Sequence, residues 1–366
     1  KKLASDIALD IREAGRAKRD KNGKIIRDKN GVMVKVPGSL KDVKAVGWYL
    51  EEHNIAQVSM NLVNYKSTSV HQAFEEVRHQ TQKRGMRVTG SELVGLIPLK
   101  PLLDAGRYFL NKQNKSEGVT EEQLIHIAVK SLGLDEMYDF NKNEKIIEYI
   151  INDSPKLVDK TVSSFVDEVS MDSPAPGGGS ISALVGSLSS ALVSMVANLS
   201  HGKKEFSNKK KTTNQIAVDS QKLKNEFLKL IDEDTEAFNH LMNSFRLPKK
   251  TEQEKKYRSN QILKMSKLVT EVPFITLEKC LLSMELVIDV LDIGNKNCIS
   301  DAAVAGEMAY ASAYGAYYNV QINLLDLKED QKYCKMMRSK SDAVIKEVDQ
   351  KIIKIKKVAE KILKNE

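Results

Sequence analysis

The 366-residue sequence contains little cysteine, proline or tryptophan. Its three cysteines, Cys280, Cys298 and Cys334, are odd in number and show no paired C-x-x-C spacing, which argues against a disulfide framework and against a cysteine zinc site. No signal peptide is recognisable at the start of the chain. Together these absences lead us to expect a protein of the reducing cytoplasm.

An excess of acidic residues is also lacking, because 57 lysines and arginines face 49 aspartates and glutamates, for a net charge of +8. The positive charges are spread along the chain without interleaved aromatic residues or a nucleic-acid motif. This pattern favours an acidic small molecule, or solubility alone, over a nucleic-acid partner. We therefore predict no nucleic acid among the partners.

One long uncharged run, residues 181–199, could span a membrane by length, but five serines dilute it. We interpret it as a buried core helix and predict no membrane span. Its small residues, at spacings of three and four, allow close approach of another helix. They are Ala183, Ser187, Ala191 and Ser194.

The length and the 41% hydrophobic content exceed the usual span of one core, so we expect two domains. The polar, proline-containing segment 152–157 is predicted to link them. The first domain, 1–151, is predicted to be α/β (α+β), with a hairpin turn at 28–31 and a helix over 39–52. The second domain, 158–366, is predicted to be all-α.

The segment Ile55–Leu62 alternates apolar and polar residues over eight positions, which predicts a strand. One face carries the uncharged hydrogen-bonding groups of Gln57, Ser59 and Asn61. Such a face suits a polar ligand, and an ordinary solvated sheet face is the alternative.

The segment Asp172–Ser180 combines two prolines with three consecutive glycines, Gly177, Gly178 and Gly179, before the uncharged run. We predict that Ser180 is the N-cap of the following helix. The N–H groups of the loop and of the helix N-terminus would then converge on one spot, which attracts a carboxylate, phosphate or carbonyl oxygen. A tight interhelical turn without a ligand is the alternative.

A predicted helix over 208–245 carries an apolar seam in which Asp234 fills the step between Ile231 and Phe238. A carboxylate on a buried stripe must meet a cation, a cluster of N–H groups at a helix N-terminus, or a ligand. A structural salt bridge is the plainer reading.

The remaining helices are delimited by local signals. Thr251–Glu254 reads as a capping box that follows Lys249 at a helix junction, and Pro273 should kink or split the next helix. Ser300 is predicted to cap a further helix, with Asp301 complementing its dipole. The last helix is predicted from about Ser341, with an apolar seam that packs on the domain or on a second subunit.

Residues 7–151 resemble the C-terminal subdomain of glutamate formiminotransferase. The motifs are Val46-Gly47-Trp48-Tyr49, Ala56–Leu62, Gly90–Leu96, Ala105-Gly106-Arg107-Tyr108, Leu132-Gly133-Leu134 and Ile146-Ile147-Glu148-Tyr149. In that family, folate and formiminoglutamate bind between two α/β subdomains and the catalytic histidine belongs to the N-terminal one.

The resemblance implies that this chain lacks the N-terminal subdomain, so we expect no complete transferase site. None of its histidines lies in a segment matching the catalytic motif; they are His53, His71, His79, His126, His201 and His240. The polar face of Gln57, Ser59 and Asn61 becomes part of a transferase folate cleft.

Residues from about Leu157 to the end resemble formiminotetrahydrofolate cyclodeaminase, a family that occurs fused to the transferase. The motifs are Pro174–Ser180, Ala191–Leu199 with Gly202-Lys203-Lys204, Asp234 through Ala237-Phe238, Leu247-Pro248-Lys249, Gly294-Asn295, Asn297, Ser300-Asp301 and Asn319-Val320. One departure is Ile181-Ser182, where the family usually has a small apolar pair.

This resemblance implies closure of 5-formiminotetrahydrofolate to 5,10-methenyltetrahydrofolate with loss of ammonia, in histidine degradation and one-carbon metabolism. The tetrahydrofolate derivative is the substrate, and no metal or redox cofactor is implied. Asp234 and Asp301 are the expected catalytic carboxylates, and Lys249 the expected proton donor or carboxylate-binding group. Predicted substrate-binding residues are Gly177, Gly178, Gly179, Ser180, Asn295, Asn297, Ser300, Lys203 and Lys204.

Asn295 and Asn297 are expected to bind the pterin edge. The cluster of lysines at 203–204 and 209–211 is expected to bind a polyglutamate tail. Solvated lysines are the alternative reading of that cluster. A homodimer or higher homo-oligomer, with the site near the interface, is implied by the family. Two other functions stay open: methenyltetrahydrofolate cyclohydrolase, which uses a similar helical fold, and a non-catalytic folate-binding or assembly role.

Overall fold

The computed structural model describes residues 1–151 and 156–364, which form two compact units. The first unit contains Lys1–Asn114 and the described residues from Thr120 to 151. The second contains Lys115–Val119 and the described residues from 156 onward. Residues 152–155 of the predicted linker lie outside the described residues, and Leu157 begins a short 3₁₀ helix, Leu157–Asp159.

The first unit combines short sheets with helices. Its helices are α1 (Lys2–Ile11), α2 (Val70–Gln82), α3 (Leu99–Lys112), α4 (Glu121–Leu132), α5 (Lys142–Lys145) and α6 (Ile147–Ile151). Its strands are β1 (Arg16–Ala17), β2 (Lys35–Val36), β3 (Val43–Leu50) and β4 (Ile55–Leu62). β1 pairs with β2 and β3 with β4, both antiparallel.

The strand predicted over Ile55–Leu62 is confirmed as β4, whereas the helix predicted over 39–52 is wrong. Residues 43–50 form β3, in which Val43, Ala45 and Gly47 are buried while the residues between them are exposed. This period-2 burial arises because α1 packs on one face of the β3–β4 hairpin. Close packing also requires Gly47, since a Cβ there would lie 2.2 Å from the Ala4 backbone.

The turn predicted at 28–31 is confirmed, and a second copy of it was not foreseen. The sequence Arg-Asp-Lys-Asn-Gly occurs at 19–23 and again at 27–31. In each copy the aspartate Oδ1 accepts a hydrogen bond from the backbone N–H four residues later, at 2.8 Å for Asp20 and 2.9 Å for Asp28. Each turn is flanked by an antiparallel bridge.

The second unit is a helical bundle. Its helices are α7 (Val162–Val169), α8 (Gly178–His201), α9 (Lys210–Phe245), α10 (Glu252–Ile293), α11 (Ile299–Asn323) and α12 (Gln331–Leu363). Short 3₁₀ turns cover Lys204–Lys209, Lys296–Cys298 and Leu324–Leu327. The backbone of 115–119, which the sequence places within the first predicted domain, is held in this bundle, where the Asn198 Nδ2 donates to the Gly118 carbonyl at 2.7 Å.

α8 is antiparallel to α9 and to α11. Its start meets the C-terminal half of α9 through Ser180 and Asp234, and its end meets the start of α9 through His201 and Thr213. The Ser189 hydroxyl donates to the Ala305 carbonyl at 2.7 Å, near the start of α11. The start of α8 therefore lies beside the C-terminal half of α9, and its last turn shares the other end of the bundle with the start of α11.

The two faces of α8 reverse the usual arrangement, in which apolar side chains are buried and polar ones are exposed. Most of the buried residues are small or carry a hydroxyl, including Gly186, Ser189 and Ser190, while the large exposed side chains are apolar. On the outward face Leu188, Met195 and Leu199 are 45, 38 and 51% exposed. In the described part of the chain α8 is the one helix long and apolar enough to cross a membrane, and 61% of its apolar window is buried inside the protein.

Two predicted features of the later helices change in the structure. The capping box at Thr251 and Glu254 is confirmed. Of the two outcomes predicted for Pro273, a kink or a split, the split is wrong because α10 continues through this residue, and the kink stays a prediction. Proline leaves the Val269 carbonyl without its helical donor, and the Asn323 Nδ2 donates to that carbonyl at 2.6 Å instead. α12 begins about ten residues before Ser341, and its seam packs on α10 and α11.

Candidate active site

The glycine loop leads into α8 three residues earlier than predicted. α8 begins at Gly178 with Gly177 as its N-cap, so the prediction that Ser180 caps the helix is wrong. Gly177 takes the extended conformation of an N-cap, and its carbonyl accepts from the Ile181 N–H at 3.1 Å. Ser180 is the third helical residue, is fully buried, and turns its hydroxyl towards α9.

Asp234 lies against this first turn of α8. Its Oδ2 is 3.0 Å from the Ser180 hydroxyl, which also lies 3.0 Å from the Ile231 carbonyl and 3.1 Å from the Thr235 hydroxyl. A Cβ at Gly179 would fall 2.1 Å from the other carboxyl oxygen, so only glycine leaves room for the carboxyl. Of the partners expected for Asp234, the structure supplies the helix N-terminus, and the described residues place no cation beside it.

The environment of Asp234 changes its acidity. Burial raises the pKa of the carboxyl above its usual value, while the hydroxyl and backbone N–H of Ser180 lower it in part. A carboxyl whose pKa is raised in this way holds a proton closer to neutral pH than an exposed aspartate does. General acid–base catalysis requires that property of a carboxyl.

Asn319 is a further polar residue at this end of the bundle, and it is absent from the set of site residues predicted from the sequence. Its Nδ2 donates to the Gly315 carbonyl at 2.8 Å and lies 3.1 Å from the Cβ position of Gly178. The sequence signal was its occurrence in a family motif, but its position beside the glycine loop follows from the antiparallel packing of α8 and α11.

Lys249 lies at the same end of the bundle but not beside Asp234. It is exposed in the loop between α9 and α10. The eleven residues from Asp234 to the end of α9 at Phe245 span about 16 Å of helix. The structure therefore does not bring Lys249 and Asp234 into contact within one chain.

The other predicted site residues lie at the opposite end. Asn295 is buried, where its Oδ1 accepts from the Lys203 Nζ at 3.0 Å and its Nδ2 donates to the Ser200 hydroxyl at 3.0 Å. The Lys209 Nζ donates to the Asp292 and Ile293 carbonyls at 3.2 and 3.1 Å, which satisfies the end of α10.

The start of α11 also differs from its prediction. Its N-cap is Cys298, so the prediction that Ser300 caps the helix is wrong; the preceding 3₁₀ turn brings the helix start forward. Asp301 lies in the first turn, as its dipole role requires. Asn297, Ser300 and Lys204 are exposed.

The predicted residues thus form two clusters. The cluster at the glycine-loop end contains Gly178, Gly179, Ser180 and Asp234, and the cluster at the far end contains Lys203, Asn295 and Asp301. Twenty residues of α8 separate Ser180 from Ser200, which corresponds to about 30 Å. A single chain therefore does not bring Asp234 and Asp301 to one small molecule.

In the first unit, the polar residues of β4 lie on the face turned away from α1. The Trp48 indole N–H of β3 donates to the Gln57 Oε1 at 2.6 Å, and Val46 and Lys44 of β3 pair with Ser59 and Asn61. Trp48 is 46% exposed. The predicted polar face exists, and its binding of folate stays a prediction.

No group of three histidine, cysteine, aspartate or glutamate side chains within residues 1–151 and 156–364 is arranged to hold a metal ion.

Comparison with protein families gives matches to both units. A model described as the formiminotransferase domain matches residues 1–152, and a model described as formiminotransferase-cyclodeaminase matches residues 161–343. Because the first model matches 1–152, the expected truncation of the transferase half is not confirmed and stays a prediction.

Curated relatives match most of the chain. Formimidoyltransferase-cyclodeaminase of Mus musculus is 37% identical over 333 residues, which cover 90% of this chain and 58% of the mouse protein. The protein of the same name from Dictyostelium discoideum is 31% identical over 360 residues, covering 97% of this chain and 63% of its own length. The chain thus spans about three fifths of these relatives.

Two further similarities concern the second unit. Methenyltetrahydrofolate cyclohydrolase of Methylorubrum extorquens is 36% identical over 170 residues, which cover 46% of this chain and 82% of that enzyme. The crystal structure of formiminotetrahydrofolate cyclodeaminase from Thermotoga maritima superposes with a TM-score of 0.50 and 26% identity, covering 56% of this chain and 98% of that one.

Proposed function

This chain belongs to the formiminotransferase-cyclodeaminase family, and from that premise we propose that its helical unit converts 5-formiminotetrahydrofolate to 5,10-methenyltetrahydrofolate and ammonia. The observation that carries the proposal is Asp234, a half-buried carboxyl with a raised pKa held against the first turn of α8. The name of the Thermotoga maritima structure supports the same reaction.

The chemistry explains why such a carboxyl is useful. The folate N10 attacks the amidinium carbon, so a base must take the N10 proton and an acid must protonate the departing nitrogen. A carboxylate beside the cationic centre also stabilises its charge. Asp234 has the burial and the partners for this work. A metal or redox cofactor is not needed for these steps.

We also propose that the helical unit acts as a homodimer through the outward face of α8. The inner face of α8 is mostly serine, glycine and alanine, whereas its outward face exposes leucine and methionine side chains. Exposed apolar side chains of this kind are typical of a surface that is buried in a protein–protein interface. Two copies of α8 that packed antiparallel about its middle would place the glycine-loop end of one copy at the same end as the far-end cluster of the other. We propose that a shared site forms there from the two clusters that one chain keeps about 30 Å apart.

We propose that the lysines at this far end bind the polyglutamate tail of the substrate. Lys203 and Lys209 are engaged with Asn295 and the end of α10, which leaves Lys204, Lys210 and Lys211 exposed to attract the carboxylates of a polyglutamate tail. We expect added salt to weaken the binding of polyglutamylated folate, and to weaken it more than the binding of the monoglutamate.

For the first unit we propose a folate-facing role for the polar side of β4 and little formimino transfer by the 366 residues alone. Both proposals rest on the resemblance, which assigns the catalytic histidine to a separate subdomain. An assay of formimino transfer from formiminoglutamate to tetrahydrofolate tests them, and robust transfer by this chain would contradict the second.

Methenyltetrahydrofolate cyclohydrolase is the second candidate, because the Methylorubrum extorquens enzyme matches the helical unit over 82% of its length. The purified chain should be assayed for methenyltetrahydrofolate absorbance from formiminotetrahydrofolate, for ammonia, and for hydrolysis of methenyltetrahydrofolate. Ammonia released in step with methenyltetrahydrofolate supports the cyclodeaminase. Hydrolysis alone supports the cyclohydrolase, and no turnover by the folded protein supports a binding or assembly role.

A further inference from the structure

The hydroxyl group of Ser180 has one proton and three oxygen neighbours. They are Oδ2 of Asp234 at 3.0 Å, the Ile231 carbonyl at 3.0 Å and the Thr235 hydroxyl at 3.1 Å. A hydroxyl can donate only one hydrogen bond while accepting others. Which neighbour receives the proton therefore depends on whether Asp234 is itself protonated.

Two arrangements satisfy both the Ser180 hydroxyl and Oδ2 of Asp234. When Asp234 is ionised, the Ser180 O–H points at Oδ2. When Asp234 is protonated, the carboxyl donates to Ser180 Oγ and the hydroxyl turns to the Ile231 carbonyl, which has a spare lone pair. The change needs rotation of one O–H bond and no movement of a heavy atom. Neither protonation state leaves the Ser180 hydroxyl or Oδ2 of Asp234 unpaired, which would be costly in a buried site.

Asp234 is also isolated from other charges. α8 has no charged side chain between Gly178 and Ser200, and near this end α11 carries the Asn319 amide and tyrosine hydroxyls but no charged side chain. On α9 itself the neighbours are Asp232, Glu233 and Glu236, none of which contributes to the pKa change of Asp234. Among the described residues, Ser180 is therefore the group that responds to the proton on Asp234.

We propose that Ser180 is a positioning residue whose rotating hydroxyl lets Asp234 accept and return one proton during ring closure. This inference rests on the proposed cyclodeaminase function. In the step, N10 forms a bond to the amidinium carbon and loses its proton to Oδ2. The same proton then passes to the amino nitrogen of the tetrahedral intermediate, whose C–N bond breaks to release ammonia. The substrate cation and the methenyl product carry the same charge, so no other proton donor is required.

The proposal predicts a specific change in Ser180→Ala. The ionised carboxyl loses its hydroxyl donor, so the pH midpoint for protonation of Asp234 should rise by about one unit, about a tenfold change in proton affinity. The carboxylic acid C=O band, assigned by infrared difference between the wild type and Asp234→Asn, gives this midpoint without folate. The pH at which ammonia release falls to half on the acid side of its pH profile should rise by the same amount.

Ser182→Ala is the matched control, because the Ser182 hydroxyl is also buried in α8 but donates to the Gly178 carbonyl of its own helix. Its midpoint should equal that of the wild type. If Ser180→Ala does not fold, Ser180→Cys keeps a side chain of similar size with a weaker donor and should shift the midpoint in the same direction.

The two readouts separate this inference from the proposed function. An infrared midpoint unchanged in the folded Ser180 variant, or moved equally in Ser182→Ala, would overturn the positioning role. The other outcome is a shifted midpoint in Ser180→Ala together with a wild-type protein that releases no ammonia from 5-formiminotetrahydrofolate. That result would support the hydrogen-bond arrangement and refute the cyclodeaminase function.

Discussion

Replacing each glycine of the loop by alanine should reduce activity in a fixed order. At Gly179 the new Cβ would lie 2.1 Å from the Asp234 Oδ1, about 1.3 Å short of the 3.4 Å at which ordinary contact begins. Either the carboxyl or the α8 backbone must move by about that amount. A displacement of about 1 Å at a reacting group costs on the order of 100-fold in rate, so we expect Gly179→Ala to lose about that much ammonia release.

Alanine at the two neighbouring glycines should reduce the rate of ammonia release much less. At Gly178 the Cβ would meet the Asn319 amide at 3.1 Å, which requires only a few tenths of an ångström of adjustment and predicts a loss of severalfold at most. At Gly177 the nearest atom would be 3.8 Å away, so the loss there should be smaller still.

The assay is initial-rate ammonia release by each variant, with thermal unfolding measured alongside. Gly202→Ala at the other end of α8, where the Cβ meets nothing closer than 4.0 Å, should leave the rate unchanged. A folded Gly179→Ala protein that is no slower than Gly178→Ala would refute the packing of Asp234 against the glycine.

Three further outcomes are expected. Leu188→Glu should shift the protein from dimer to monomer in sedimentation, because it places a charge on the outward face of α8, whereas Val162→Glu, at an 84% exposed residue of α7, should not; an unchanged mass would contradict the interface. Asn323→Ala should lower the free energy of unfolding by about 1–3 kcal/mol in denaturant titration, since the Val269 carbonyl in the middle of α10 loses its donor; a loss near zero would contradict that role. Because burial raises the pKa of Asp234 in the folded state, its protonation stabilises the fold at acid pH and that contribution is lost as pH rises through the folded pKa. The wild type should therefore gain stability relative to Asp234→Asn as the pH falls from 7 towards 4, and a constant difference would contradict the raised pKa.

Local patterns in the sequence predicted many elements because their causes are local. The alternation in 55–62, the capping box at Thr251 and the seam of α9 each depend on neighbours within one or two turns, and each is present in the structure. Asp234 was recognised because one residue breaks an otherwise apolar stripe. That stripe packs in the core as far as Ile231, whereas Phe245 at its end is 46% exposed.

Other features depend on long-range packing and were not predictable from the same patterns. Residues 39–52 have enough apolar positions for a helix, but pairing with β4 and packing on α1 select the strand. Ser180 looks like an N-cap in sequence, yet the glycines can start the helix earlier and free its hydroxyl for α9. α10 passes through Pro273 because Asn323, fifty residues later, supplies the missing donor.

The grouping of the site residues was the largest difference. In sequence Asp234, Asn295 and Asp301 belong to one set of motifs, whereas antiparallel packing of α8 with α9 and α11 sends them to opposite ends of the bundle. Sequence spacing carries no information on which end of a bundle a loop occupies. The outward apolar face of α8 became visible only when the burial of each side chain was known.

The most direct test of the central claim compares Asp234→Asn with Glu233→Gln in ammonia release from 5-formiminotetrahydrofolate at neutral pH. Glu233 is the exposed neighbour of Asp234 on α9, so its variant controls for loss of one negative charge on that helix. The account predicts that Asp234→Asn loses at least about 100-fold in rate while folded, and that Glu233→Gln keeps the wild-type rate. Equal rates in the two folded variants would contradict the assignment of the reaction to the Asp234 carboxyl.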